Sequence, residues 1–118
     1  MRPGCRAPHA WLGRGSETLS TLDLFGPGFT LLTGSGDRAW RDACRSTAAD
    51  LAVPLACYAI GDAGLEDRDR VLFTRFGIES TGAVLVRPDG FVGWRTRRGG
   101  EHGILRDVVR RILDRPGA

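Results

Sequence analysis

The 118-residue sequence predicts one α/β domain with a central mixed β-sheet flanked by helices, in the order β-α-β-α-β-β-α after an N-terminal extension. Three observations carry that prediction. Gly82 to Arg95 reads as two short strands around turn residues, a hairpin. Two apolar runs, Phe29 to Leu32 and Leu55 to Ile60, are separated by a helical crossover, which predicts parallel pairing with a right-handed connection. Ile104, Leu105, Val108, Val109, Ile112 and Leu113 recur at helical spacing and predict a final helix that covers the sheet.

Each element follows from local chemistry. Residues 1–28 form the extension, an arm with short strands, and residues 29–118 the main domain; together they make a single domain. Pro3, Gly4 and Pro8 exclude a helix in the arm, and a short strand is expected near His9 to Leu12, with Gly13 to Ser16 as a loop. Thr18 to Phe25 alternates in part, placing Leu22 and Leu24 on one face. Phe29 to Leu32 is the first core strand, and Thr33-Gly34-Ser35-Gly36 ends it. Asp37 is a suitable cap for a helix whose apolar stripe is Trp40, Ala43, Cys44, Thr47, Ala48 and Leu51, and Pro54 stops it. Leu55 to Ile60, nearly all apolar, reads as a strand buried on both faces. A polar helix is expected from about Glu66 to Phe76, with Val71, Leu72 and Phe76 inward and Gly77 as its C′ residue. In the hairpin, Pro88 presets φ at the second turn position and Gly90 accepts positive φ at the fourth. This order is that of a thioredoxin-like domain.

Composition narrows the function. A hydrophobic share of 42% supports a core without disulfides or metal. The net charge is +3 and acids are interspersed with arginines, so no basic stripe points to nucleic acid. The chain has no Lys, Asn or Gln, so arginine occupies places that lysine usually fills and carries less functional meaning. No run approaches the ~20 apolar residues of a membrane helix, and residues 1–20 lack a signal-peptide core, so a cytoplasmic protein is expected.

The candidate sites divide as follows. Cys5, Cys44 and Cys57 lack CxxC spacing, and the count is odd, which argues against zinc or a disulfide framework. Cys44 and Cys57 read as small core residues; two sulfurs side by side at the mouth of a groove would reopen a thiol reading. Thr33 to Gly36 ahead of a helix has the shape of an anion cradle, but a loop capped by Asp37, whose charge repels anions, is the simpler reading. Asp62, Glu66, Asp67 and Asp69 lack the regular spacing of a metal site. His102 reads as solvated. Arg6, Pro8, His9, Trp11, Arg87, Trp94 and Arg95 are the candidate interface residues, since aromatics and arginine are enriched at interface cores; Trp40 reads as core. No catalytic, cofactor-binding or metal-ligating residue is assigned.

The ordered set Pro3-Gly4-Cys5-Arg6-Ala7-Pro8-His9, Thr21-Leu22-Asp23-Leu24-Phe25-Gly26, Phe29-Thr30-Leu31-Leu32, Phe76-Gly77-Ile78, Ala83 to Gly90 and Val92-Gly93-Trp94-Arg95 resembles the C-terminal thioredoxin-like domain of FAD-dependent aromatic hydroxylases. The polyketide-tailoring group is nearest in flavour, with phenol hydroxylases more distant. The resemblance implies FAD and NAD(P)H in the full-length family and no cofactor bound by this chain alone, since no GxGxxG opens a helix after a strand. It implies a packing, stabilising or dimer-contacting module, whose partners are FAD- and substrate-binding hydroxylase segments or a second copy. Where a thioredoxin carries CxxC this chain has Gly34-Ser35-Gly36-Asp37, and Ser80-Thr81-Gly82 stands where its cis-proline would precede the hairpin. The alternatives are a stand-alone thioredoxin-fold thiol oxidoreductase and a small-ligand binder using the Gly34 to Asp37 cleft.

Overall fold

The computed structural model describes residues 6–7, 9–25, 28–34, 39–61, 65–67, 72–98 and 104–113. Its organising layer is a four-stranded sheet of β3 (Phe29–Gly34), β4 (Leu55–Ile60), β6 (Ala83–Val86) and β7 (Val92–Thr96), in the order β4-β3-β6-β7. β3 runs parallel to β4, as the crossover through α1 (Ala39–Leu51) requires, and antiparallel to β6, which is antiparallel to β7. This is the expected mixed sheet of the thioredoxin-like α/β class.

Alternation along the strands splits the core into two layers. Phe29, Leu31, Ala83 and Leu85 point to one face, where Trp40 and Cys44 of α1 and Leu105, Val108 and Val109 of α3 (Ile104–Leu113) cover them. Leu32, Val84 and Val86 point to the other face. There they meet Phe76 of α2 (Leu72–Phe76) and Ala7, Ala10, Leu12 and Leu24 from the N-terminal segment. The stripe of α3 is buried at its centre, while Ile104 and Leu113 at its ends are exposed.

Residues 6–25 are therefore a wall of the core. The Ala7 amide donates to Gly90 O, and Ala10 exchanges hydrogen bonds with Thr21, its carbonyl accepting from the Thr21 N–H and its own N–H donating to Thr21 Oγ1. β1 (Trp11–Arg14) and β2 (Glu17–Ser20) form a hairpin, and β5 (Leu65–Asp67) pairs on the other side of β1, giving a second sheet of order β2-β1-β5.

Four expectations are corrected here. Gly13 and Arg14 belong to β1, and the loop is the two residues Gly15 and Ser16; Gly15 has φ +61°, as the first central position of a II′ turn demands. Thr21–Leu24 is a 3-10 turn, not a strand, so Leu24 is buried while Leu22 is 49% exposed. A hydrogen bond from the Ser20 amide to Asp23 Oδ2 (2.9 Å), with Ser20 Oγ accepting from the Leu22 amide (3.1 Å), starts that turn. Glu66 and Asp67 lie in β5, so α2 starts later than expected, at Leu72; pairing with β1 overrides helix propensity. Finally, β3 is the strand buried on both faces, because it sits between β4 and β6; β4 is an edge strand, with Ile60 its one fully buried residue.

Two termini follow local rules. α1 closes with the Val53 amide bonded to Ala48 O (3.3 Å) around Ala52 at φ 52°, the C′ position that glycine usually fills. α2 closes on Gly77 at φ 70°, as expected. Its carbonyl accepts from Arg95 Nη1 at 2.7 Å, placing positive charge at the helix C-terminus.

The 83–96 hairpin turns through Arg87-Pro88-Asp89-Gly90. The Gly90 amide donates to Arg87 O (2.9 Å), the Arg87 amide to Phe91 O (2.8 Å), and Gly90 has φ 85°. This is a type I turn followed by a left-handed residue. Asp89 accepts from the Phe91 amide (3.1 Å) and from the Arg87 guanidinium. Burial pushes its carboxyl up, but these two hydrogen bonds and the Arg87 charge outweigh it and hold the group below the ordinary 3.8. A lowered folded value means the bonds stabilise the fold above pH 3.8 and are lost as pH falls through the folded value. Asp89→Asn is therefore expected to cost under about 1 kcal/mol near neutral pH, with the difference vanishing in acid. Parallel urea titrations at pH 7 and in acid check this; a cost unchanged in acid contradicts the assignment.

Candidate functional site

In a thioredoxin-like fold the chemical site sits where the first core strand meets its helix, beside the loop that enters the hairpin. Ser35 to Asp37 lie outside the described residues, so the cap and the anion cradle are not described. What flanks them is packed. A Cβ on Gly34 would stand 2.2 Å from Ser80 O and 2.6 Å from Ser80 C and Cα, so the backbones of β3 and the Ser80–Gly82 loop touch through the missing side chain. The Gly34 amide reaches Gly82 O at 3.4 Å. Trp40, 1% exposed, donates its indole N–H to Thr81 O at 2.8 Å and meets Trp94 edge-on, ring centroids 5.9 Å apart. Bulk from α1 and β7 fills the approach from that side.

The described cysteines lie elsewhere. Cys44 is buried under α1, and Cys57 is half-buried on β4. Both belong to the core layer between α1 and the sheet. Cys5, Pro8 and His102 fall outside the described residues, as do Asp62 and Asp69. Among the described residues no three His, Cys, Asp or Glu side chains converge on one point.

The interface candidates separate into two places. Arg6, Arg87 and Phe91 form one group on the hairpin turn, with the Arg6 and Arg87 guanidiniums 5.0 and 5.9 Å from the Phe91 ring centre. An extra residue, Gly93, bulges β7 between Val92 and Trp94. The bulge turns Val92 to one face and Trp94 to the other, where Trp94 joins Trp40 in the layer under α1 and α3. Arg95 follows to the α2 side and is held by Gly77.

His9 and Trp11 form the second group. Their rings stack edge to face at 4.5 Å, His9 Nδ1 lies 2.5 Å from Ser20 Oγ, and Arg75 Nη1 donates to His9 O at 2.5 Å. Trp11 pairs with Ser20 across the β1/β2 hairpin and is 47% exposed. The exposed Leu22 hangs from the same Ser20 through its amide. His9, Ser20 and Asp23 have the composition of a hydrolase triad, but Asp23 holds the Ser20 backbone and not the imidazole, so the three are not in triad order. Trp11 and Leu22 are thus two exposed apolar side chains, each attached through the backbone to the Ser20 corner that holds His9. Leu22 was missed in the sequence; the Ser20-x-x-Asp23 spacing is the signal that gives it away.

Comparison with known proteins accounts for nearly the whole chain. Residues 1–116 match the family described as aromatic-ring hydroxylase, C-terminal. Aklavinone 12-hydroxylase RdmE of Streptomyces purpurascens is 47% identical over 97% of this chain and 22% of its own length. Tetracenomycin A2 monooxygenase-dioxygenase of Streptomyces glaucescens is 45% identical over 97% of this chain and 21% of its own length. A crystal structure of aklavinone-11 hydroxylase in a ternary complex with FAD and aklavinone superposes with a TM-score of 0.89 at 46% identity, covering 97% of this chain and 22% of that one. The chain spans about a fifth of the length of the relatives it matches. It belongs to the C-terminal domain family of the aromatic-ring hydroxylases.

Proposed function

We propose that this chain is a non-catalytic thioredoxin-like module that works by packing against the FAD- and substrate-binding part of a cytoplasmic aromatic hydroxylase, stabilising it or contacting a second copy. The observation that carries this reading is the match of nearly the whole chain to one fifth of flavin-dependent hydroxylases. The thioredoxin site, in which the described backbones of Gly34 and Ser80 close on each other, supports it. The chain has no dinucleotide fingerprint, so FAD and NAD(P)H belong to the remaining four fifths.

The docking face we favour is His9, Trp11 and Leu22. An exposed tryptophan and an exposed leucine, both attached to Ser20, have the composition of an interface anchor. Arg6, Arg87 and Phe91 form its nearest polar counterpart, with Pro8 between them in sequence; Trp94 and Arg95 serve as internal supports of the hairpin.

The test is a hydroxylase in which this chain replaces the C-terminal fifth of aklavinone 12-hydroxylase RdmE. Trp11→Glu is expected to leave the isolated chain within about 0.5 kcal/mol of its original stability. In the chimera the same change should weaken the packing by about 2 kcal/mol or more, read as flavin loss at lower temperature. Equal effects in both settings place the docking face elsewhere. An isolated chain that purifies yellow and oxidises NADPH rejects the non-catalytic reading. A dimer of the isolated chain that Trp11→Glu splits assigns this face to self-association.

A further inference from the structure

Arg95 has more binding capacity than its support of α2 uses. It is half-buried, and the hydrogen bond it makes among the described residues runs from Nη1 to the neutral Gly77 O. A guanidinium is a planar fork of several N–H donors, and most of them are left over. No carboxylate among the described residues pairs with it, whereas a partly desolvated charge is ordinarily matched by an opposite one. Beside it lies an open groove of about 500 Å³ lined by Thr74, Gly77, Ile78, Glu79, Arg95 and Arg97. Backbone bonds fix its frame, the Glu79 amide donating to Arg97 O (2.8 Å) and the Gly82 amide to Glu79 O (2.9 Å).

The charge around the groove is unbalanced. Glu79 is the carboxylate of the lining, and it is already shared: Arg98 Nε stands 2.6 Å from its Oε2 and Arg97 Nε 3.4 Å. Arg95, Arg97 and Arg98 thus face one acid among the described residues. Arginine is common in this chain, but here two share a single acid while the half-buried third has none, which leaves a local positive field over a concave surface. α2 joins this groove to the His9 corner. Thr74 lines the groove, and Arg75, the next residue, donates to His9 O at 2.5 Å.

We propose that this groove receives an acidic segment of the FAD- and substrate-binding part of the hydroxylase, with an Asp or Glu carboxylate seated on Arg95 and Arg97. The proposal rests on the packing role above and names the chemistry of the partner surface. A carboxylate takes two parallel N–H bonds from a guanidinium fork, which a neutral carbonyl does not. An open groove suits a chain segment better than an enclosed small molecule. The same helix touches the groove and the corner that carries Trp11, so one partner surface meets an apolar anchor and a cationic seat together. The seat supplies register and selectivity, the anchor the larger share of affinity.

The test runs the same chimera and the isolated chain side by side. Phenylglyoxal labelling with peptide mapping is expected to modify Arg97 several-fold more slowly in the chimera than in the isolated chain. Arg97→Glu should lower the temperature at which the chimera releases flavin by about 5 °C or more at low salt. That loss should shrink near 1 M NaCl, where the Debye length is about 3 Å. In the isolated chain, where Arg97 is exposed, the same change should move the melting temperature by less than about 3 °C. Equal labelling in both settings, or an Arg97→Glu loss that salt does not diminish, overturns the proposal. Trp11→Glu reports on the packing role separately: a chimera that Trp11→Glu weakens and Arg97→Glu does not keeps that role and rejects the acidic partner. An isolated chain that citrate stabilises beyond NaCl of equal ionic strength, with Arg97 unprotected in the chimera, assigns the groove to a free oxyanion and also rejects it. If the Arg97→Glu chimera yields no folded protein, labelling of the unaltered chimera decides alone.

Discussion

Trp40→Ala is expected to lower the unfolding free energy by about 3–5 kcal/mol, a large part of what a domain of this size has. The side chain is almost fully buried, so its removal opens a cavity between α1 and the sheet. It also leaves Thr81 O without the indole N–H at 2.8 Å and Trp94 without its edge-on partner. Trp40→Phe separates these terms, since it keeps most of the volume and loses the hydrogen bond; it should cost about 1–3 kcal/mol for the half-buried carbonyl and the lost ring area. Urea unfolding followed by circular dichroism measures both. A Trp40→Ala chain within about 1 kcal/mol of the parent would mean that the indole does not hold α1 to the hairpin entry.

Gly34→Ala should be the most damaging single-methyl change among the described glycines. The new Cβ lands 2.2 Å from a backbone oxygen, Ser80 O, and 2.6 Å from two further backbone atoms. A flexible side chain would swing aside, but Ser80 is tied through Thr81 to Trp40 and through Gly82 to Gly34 itself. Relief requires moving the loop off β3, so the cost is expected to reach about 3 kcal/mol. Gly15→Ala is the comparison: there nothing lies within 4 Å, and only the φ of +61° is unfavourable. It should cost about 1–2 kcal/mol, and a Gly34→Ala loss no greater than that would contradict the contact.

These two positions mark how far the sequence could be read. Apolar period and turn chemistry were enough for β3, α1, the 83–96 hairpin and α3, because each is local: alternating residues, a helical stripe, Pro88 and Gly90 at their turn positions. The order of the elements then selected the sheet topology. Apart from the turns at Gly15 and Thr21–Leu24, what failed was non-local. Leu55 to Ile60 looks more buried than Phe29 to Gly34 by composition, yet burial depends on which strand has neighbours on both sides. Glu66 and Asp67 have no strand signal of their own and are extended because β1 offers them a partner. Of the candidate site, the exposed Trp11 and the arm that carries it were legible as an aromatic in a proline-broken stretch. Leu22 was overlooked, because the Ser20-x-x-Asp23 spacing that starts its helical turn was read as part of an alternating stretch.

The position of β4 has a consequence for handling this polypeptide. Among the described strands it has β3 on one side and none on the other, and its outward backbone groups lie along a six-residue apolar run with no charge in it. Such a border invites any extended peptide to add itself in register, including the same border of a neighbouring molecule. At high concentration the separated module thus carries a built-in tendency to stack. An arginine at Ala56, which already faces solvent, would blunt it without touching the interior.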